Sequence, residues 1–121
     1  MRELILIFIG GGLGSVLRAL VGRWTLHVSF PFATFFVNIV GCLMIGFLIS
    51  IAHRHLLNIQ FRSLLAVGFC GGFTTFSTFS NESLQLLKSG QLLHFALYAG
   101  ATFVGCLLAV WLGDFLGQRI P

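Results

Sequence analysis

Charged side chains are scarce in this chain: only 8% of its 121 residues are Asp, Glu, Lys or Arg, while 57% are hydrophobic. A soluble domain of this size could not bury so much apolar surface, so the composition excludes a soluble protein and indicates an integral membrane protein. The length leaves no room for a second domain, and we treat residues 1–121 as a single unit.

Acidic residues are especially few, with three Asp and Glu against seven Lys and Arg. A net charge of +4 could suggest nucleic acid as a partner, but a nucleic-acid-binding surface needs clustered basic residues. Here the basic residues are scattered singly near the ends of hydrophobic segments, where Lys and Arg side chains reach the membrane interface. The sequence therefore predicts a lipid bilayer as the surroundings and no nucleic-acid partner.

The three cysteines (Cys42, Cys70 and Cys106) lie singly in hydrophobic segments, without a CxxC pair. This spacing is typical of reduced packing residues rather than of a disulfide or zinc framework. His53 and His55 could suggest a metal site, but two imidazoles without a third ligand favour a solvated cluster. The histidines lie outside the spans and far from the cysteines, so no nucleophile and base come together and no enzyme is expected.

Hydrophobic runs of about 20 residues are needed for each membrane crossing. We predict four spans at roughly 4–26, 33–52, 62–87 and 93–118. The first span resembles the apolar part of a signal peptide behind Arg2, but it continues through Arg18 without a small-residue cleavage motif. We therefore interpret it as a retained span.

Glycines mark the first span. A dinucleotide-binding loop is excluded, because the G-x-G-x-x-G spacing and a βαβ context are both missing. Gly10 and Gly14 form a small-xxx-small face, which predicts close approach of another helix. Arg18, one turn after Gly14, is either an interface anchor or a group that attracts anions to a pore mouth.

Polar residues inside the spans are candidates for function. Asn38 lies with Thr34 and Gly41 among apolar neighbours in the second span, and it either pairs helices or donates to a passing anion. Glu82 is the only acidic residue well inside a span, and we favour a basic partner for it. In the fourth span Tyr98, Thr102 and Cys106 are spaced by four residues on one face. This row is either a moderately polar packing stripe or a track of donors that lines a narrow path.

The middle of the third span is unlike a lipid-facing helix. Gly71-Gly72 followed by Thr74-Thr75 has poor helix propensity, which predicts a break. Backbone groups freed at membrane depth must be buried in protein or coordinate something. Phe73, Phe76 and Phe79 follow on one broad side of a helix, beside small hydroxyl residues. A broken helix with aromatic edges and small donors suggests an ion pathway.

Charge gives almost no preference for one orientation. With four spans, one side of the membrane has four basic residues and the other has three: Arg2, Arg54, Arg62 and Arg119 against Arg18, Arg23 and Lys88. A chain with so little bias can insert both ways, and two inverted copies would form an antiparallel dimer. Four small helices also enclose little space, which favours an oligomer.

Over nearly its whole length the chain resembles the Fluc (CrcB-type) family of fluoride channels. The resemblance rests on Gly11-Gly12-Leu13-Gly14-Ser15 with Arg18, on Asn38 with Gly41, and on Gly71-Gly72-Phe73-Thr74-Thr75-Phe76-Ser77-Thr78-Phe79-Ser80. The last run is highly specific, whereas the short glycine motifs alone are weak. Two positions depart from the family: Ala19 stands where an aromatic residue is common, and Cys106 stands where a hydroxyl is typical.

The resemblance implies an all-α membrane protein with four transmembrane helices, the third broken mid-membrane. It implies an antiparallel dual-topology homodimer in the bacterial inner membrane, with two pores that export F⁻ passively and relieve fluoride toxicity. A structural Na⁺ would lie at the dimer centre on the backbone carbonyls of Gly71 and Thr74, and Arg18 would lie in the vestibule. The expected pore residues are Thr34, Asn38, Phe76, Ser77, Thr78, Phe79, Ser80, Tyr98, Thr102 and Cys106.

Physical chemistry agrees with this expectation and leaves two alternatives. Fluoride is tightly hydrated, so a pore must replace its water by several weak donors, among them the positive edges of aromatic rings. A small multidrug or cation antiporter could share four spans and dual topology, but it needs an intramembrane carboxylate and only Glu82 is available. A structural membrane subunit would leave the Phe/Thr run unexplained.

Overall fold

The regular elements that the structure describes are helices. The computed structural model describes residues 1–24 and 30–121. In chain order, the elements within these ranges are α1 (Arg2–Trp24), α2 (Phe32–His53), α3 (Ile59–Phe61), the π-helix π1 (Arg62–Cys70), α4 (Gly71–Phe73), α5 (Phe76–Lys88) and α6 (Leu92–Gln118).

Within residues 1–24 and 30–121, four helical segments are long and apolar enough to cross a membrane: α1, α2, the third span Ile59–Lys88 and α6. The prediction of four spans is confirmed, and the chain is a multi-pass membrane protein. The predicted ends lie within about three residues of the observed ones, as expected when bilayer thickness sets helix length. The predicted end of the first span at residue 26 lies outside the described residues.

Local sequence explains where several helices begin and end. Pro31 precedes α2, where its missing N–H costs nothing. The Asn58 side chain accepts a 2.9 Å hydrogen bond from the Phe61 N–H and caps the start of α3. Gly90 has φ +74° between α5 and α6, a backbone conformation that glycine adopts without steric cost.

Helix α1 packs closely along π1 through two glycines. A Cβ atom added at Gly10 would lie 2.1 Å from the Leu64 carbonyl oxygen, and one at Gly14 would lie 2.3 Å from that of Phe69. Both distances are far below van der Waals contact, so the backbones meet only because these side chains are absent. The predicted small-xxx-small packing face is confirmed.

Helix α2 runs beside α6 in the same direction. A Cβ atom at Gly46 would lie 2.2 Å from the Val110 carbonyl oxygen. Further along both helices, the Ser50 hydroxyl donates a 3.1 Å hydrogen bond to the Asp114 carbonyl. Because residue numbers rise in the same direction along both helices, the helices are parallel and corresponding turns lie side by side.

Alanine at Gly10 is expected to destabilise the fold by about 1–3 kcal/mol, the usual cost of overpacking a tight contact. Thermal unfolding of the purified protein in detergent measures the effect. Gly12→Ala is the matched control, because a Cβ atom at Gly12 of the same helix meets nothing within 4 Å. Equal unfolding temperatures for the two variants would contradict the packing assigned to Gly10.

Much apolar surface is left uncovered on the isolated chain. At most 33% of the residues in any of the four spans are buried. Large side chains such as Phe8, Phe76 and Trp111 lie well exposed. This surface must be covered by lipid or by another protein chain.

Candidate functional site

The helical backbone of the third span is interrupted at two threonines. Gly71 and Gly72 are helical, whereas Thr74 (φ −80°, ψ 160°) and Thr75 (φ −155°, ψ 122°) are extended. Helix α5 then begins at Phe76. The β-branched threonines tolerate extended backbone better than a helix interior, which explains why they and not the glycines leave the helix.

Asn38 of α2 binds both backbone groups of Thr75. Its Nδ2 donates to the Thr75 carbonyl over 3.1 Å, and its Oδ1 accepts from the Thr75 N–H over 2.8 Å. Asn38 is 8% exposed and Thr75 is 9% exposed, so these bonds are formed away from solvent. The amide therefore satisfies polar backbone that the interruption leaves without helical partners.

Carbonyls before the interruption lose their usual donors. The Thr75 N–H, which an uninterrupted helix would offer to the Gly71 carbonyl, donates to Asn38 instead. The Gly72 carbonyl accepts from Arg18 Nε over 3.1 Å and from the Ser15 hydroxyl over 3.4 Å. Arg18 thus reaches from α1 to the backbone just before the interruption.

The hydroxyl groups after the interruption make local hydrogen bonds. Thr75 Oγ1 accepts from the Thr78 N–H over 3.2 Å, which caps the start of α5. The same oxygen lies 3.1 Å from Thr78 Oγ1 and 3.2 Å from the Ser77 hydroxyl. The Ser80 hydroxyl donates to the Phe76 carbonyl over 2.9 Å. These donors order the first turn of α5.

Aromatic rings line one side of this turn. The Phe76 and Phe79 ring centroids lie 5.5 Å apart, and the Phe79 and Tyr98 centroids lie 5.0 Å apart. Phe76 is 78% exposed on the isolated chain, whereas Tyr98 is fully buried. The rings therefore form a row that leads from Phe76 at the chain surface to the buried Tyr98 on α6.

Glu82 accepts two hydrogen bonds from hydroxyl groups. The Thr34 hydroxyl donates to its Oε1 over 2.8 Å, and the Tyr98 hydroxyl donates to its Oε2 over 2.7 Å. The expected basic partner is not found among the described residues. Two neutral donors on adjacent helices bind the carboxylate instead, and it joins α2, α5 and α6.

A cavity of about 540 Å³ lies between α2, the third span and α6. Asn38, Thr74, Phe76, Phe79, Thr102 and Cys106 are among its lining residues. The Thr102 side-chain oxygen is buried and has no hydrogen-bond partner among the described residues. A buried hydroxyl without a partner is costly, which marks this wall as a place where a bound ion or water would be stabilised.

Several of these features were missed at the sequence level. Asn38 was a candidate donor, but its pairing with the Thr75 backbone was not foreseen. The single cysteines are predicted to be reduced packing residues, and their spacing does not indicate that all three free thiols line the same cavity. Within residues 1–24 and 30–121, no three His, Cys, Asp or Glu side chains are grouped to hold a metal ion.

Comparison with known proteins shows that the chain is similar to proteins named as channels. The family model described as CrcB-like protein, Camphor Resistance (CrcB), matches residues 5–114. A protein of Phocaeicola vulgatus is 48% identical over 98% of this chain and 100% of its own length. Relatives from Bacteroides fragilis (49%, covering 98% of each chain) and Gloeothece citriformis (46%, covering 98% and 99%) match as well. All three are named fluoride-specific ion channel FluC.

Proposed function

The chain belongs to the CrcB-like protein family, and from this premise we propose that it is a fluoride-selective channel through which F⁻ leaves the cell passively, relieving fluoride toxicity. The family is one of ion channels, and the chain is not an enzyme. The observation that carries the proposal is the interrupted third span, whose freed backbone is bound by Asn38. Beside it lies a cavity with a buried hydroxyl that has no hydrogen-bond partner in the part of the chain that the structure describes.

Donors of moderate strength suit a small, strongly hydrated anion. The Thr102 hydroxyl can donate to an ion in the cavity. The Asn38 amide has a second N–H, which its bond to the Thr75 carbonyl does not use and which can donate as well. The edges of Phe76 and Phe79 carry partial positive charge and offer weaker contacts. Several weak sites let an ion enter and leave, whereas a single tight site would trap it.

We assign the remaining expected pore residues from the contacts described for the site. We assign Tyr98, Thr102 and Cys106 to one wall of the route, with Thr34 beside Tyr98 at its end. Ser77, Thr78 and Ser80 order the turn that presents the two phenylalanines. Arg18, fixed on the Gly72 carbonyl, places a positive charge near the interruption and attracts anions to the vestibule.

An antiporter fits the contacts of Glu82 less well. A proton-coupled carboxylate must exchange protons with the transport path. Glu82 instead accepts from two hydroxyls and is absent from the residues that line the cavity. The carboxylate therefore supports helix packing in this proposal.

We further propose that two inverted copies form an antiparallel homodimer with two pores in the bacterial inner membrane. The exposed Phe76 supports this arrangement, because a pore-lining ring at the chain surface needs a second chain to enclose the route. The near-even distribution of basic residues permits both orientations. Tags at the C-terminus should be accessible from both sides of the membrane, and a single orientation would contradict the dimer.

A structural Na⁺ on the carbonyls of Gly71 and Thr74 is compatible with the local geometry. Gly71 is exposed, and its carbonyl has lost the Thr75 N–H as a helical donor. Unwound backbone carbonyls are suitable ligands for Na⁺ in membrane proteins. Paired interruptions in two chains would supply four such oxygens, and the positive charge would offset their clustered dipoles.

Passive release of fluoride from vesicles tests the proposed function. Purified protein is reconstituted into vesicles loaded with KF, and external fluoride is recorded with an electrode after valinomycin is added. We expect rapid release without a proton gradient and little release of chloride under the same conditions. Release that requires a proton gradient would favour an antiporter and contradict the channel.

A further inference from the structure

All three cysteines meet at one place in the fold. Cys42 of α2, Cys70 of π1 and Cys106 of α6 line the cavity of about 540 Å³. Each is a free thiol, and Cys42 and Cys106 are partly exposed, whereas Cys70 is buried. Two thiols are therefore accessible from the cavity on two different helices.

Cys42 and Cys106 occupy matching turns of tightly packed helices. Cys42 lies one turn before Gly46, and Cys106 lies one turn before Val110. Gly46 and Val110 pack so closely that a Cβ atom added at Gly46 would lie 2.2 Å from the Val110 carbonyl oxygen. Since the two helices run in the same direction, this register places the two cysteines side by side at the α2–α6 contact, where both line the cavity.

Cys70 does not turn this pair into a larger site. In the part of the chain that the structure describes, no group of three His, Cys, Asp or Glu side chains could hold a metal ion. The neighbouring cavity residues Ile45 and Leu107 are apolar and supply no hard oxygen ligands. The available chemistry is that of two sulfur ligands in apolar surroundings.

We propose that Cys42 and Cys106 form a two-coordinate site for soft, thiophilic metal ions such as Hg²⁺. On binding, each thiol releases its proton to solvent and each sulfur forms one bond to the ion, with no change of oxidation state. Soft thiolate ligands select such ions over Na⁺, Mg²⁺ and Ca²⁺, which prefer oxygen. The site is distinct from the carbonyl groups at the interruption of the third span.

Retention of mercury in the presence of a competing monothiol tests the site. The full-length protein in detergent is mixed with HgCl₂, treated with excess 2-mercaptoethanol, desalted and analysed for mercury by mass spectrometry. A single cysteine loses mercury to the competitor, whereas two preorganised thiols hold it through their high effective concentration. We expect about one ion per chain for the native protein, and at least about a tenfold loss for Cys42→Ser and Cys106→Ser.

Cys70→Ser is the matched control, because it removes a thiol from the same cavity without removing either proposed ligand. It should retain as much mercury as the native protein. Serine is close in shape to cysteine, and an unchanged size-exclusion profile confirms that each variant is folded. Native retention in Cys42→Ser or Cys106→Ser, or its loss in Cys70→Ser, would overturn the proposal.

Alkylation of the folded protein gives a second readout that is independent of ion conduction. Bound mercury should protect Cys42 and Cys106 together from N-ethylmaleimide, as measured by peptide mass spectrometry. The labelling of the buried Cys70 should not change. Protection of only one of the two proposed ligands would contradict bidentate binding.

Discussion

Replacing Phe76 by isoleucine is expected to lower the rate of fluoride release from vesicles by about tenfold. The aromatic edge that can contact the anion is removed, while an apolar side chain of similar bulk remains. Aromatic interactions of this kind contribute roughly 0.5–1.5 kcal/mol, and about 1.4 kcal/mol corresponds to a tenfold change in rate. Because Phe76 is 78% exposed on the isolated chain, the substitution should not disturb the packing within the chain.

Phe8→Ile is the matched control for this experiment. Phe8 is 81% exposed and lies on α1, where we assign it to the lipid-facing surface. Its variant should release fluoride at the native rate. Phe79→Ile should also slow release, although Phe79 additionally packs against Tyr98. Native rates in both Phe76→Ile and Phe79→Ile would rule out the role assigned to the aromatic edges.

Replacing Asn38 by aspartate is expected to reduce fluoride release at neutral pH at least about a hundredfold. A carboxylate cannot donate to the Thr75 carbonyl, so it would lose the 3.1 Å hydrogen bond and repel that oxygen. A negative charge about 5 Å from a passing anion also costs about 3 kcal/mol at an effective dielectric constant near 20. By transition-state arithmetic, that energy exceeds a hundredfold in rate.

Asn58→Asp provides the same chemical change outside the cavity. Asn58 caps α3 by accepting from the Phe61 N–H, and aspartate caps helices equally well. This variant should retain native release and native thermal stability. Rapid fluoride release from the Asn38→Asp protein would remove Asn38 from the pathway and leave it with a role in helix pairing alone.

The four spans could be predicted from the sequence because bilayer thickness sets the length of an apolar helix. The close approach of α1 to another helix could also be predicted, since Gly10 and Gly14 share one face. These properties depend on residue type and spacing along a single segment. They do not require knowledge of which helix lies opposite.

Contacts between distant segments could not be predicted in this way. Asn38 binds Thr75, and Glu82 binds Thr34. Neither contact could be predicted, because hydropathy does not indicate how two spans are rotated towards each other. The convergence of the cysteines has the same cause, because it depends on the register of α2 against α6. The residue types favour a basic partner for Glu82, but within the described ranges two hydroxyl groups on neighbouring helices stabilise the carboxylate instead.

The central claim is that the interruption at Thr74 and Thr75 is where two inverted chains meet beside routes for fluoride. An experimental density map of the purified protein in a lipid bilayer, with Na⁺ and F⁻ present, tests it most directly. We predict two copies related by a two-fold axis in the membrane plane, with cation density on that axis between the Gly71 and Thr74 carbonyls. A continuous third helix whose Phe76 ring faces lipid, in a single or parallel arrangement of chains, would contradict the account.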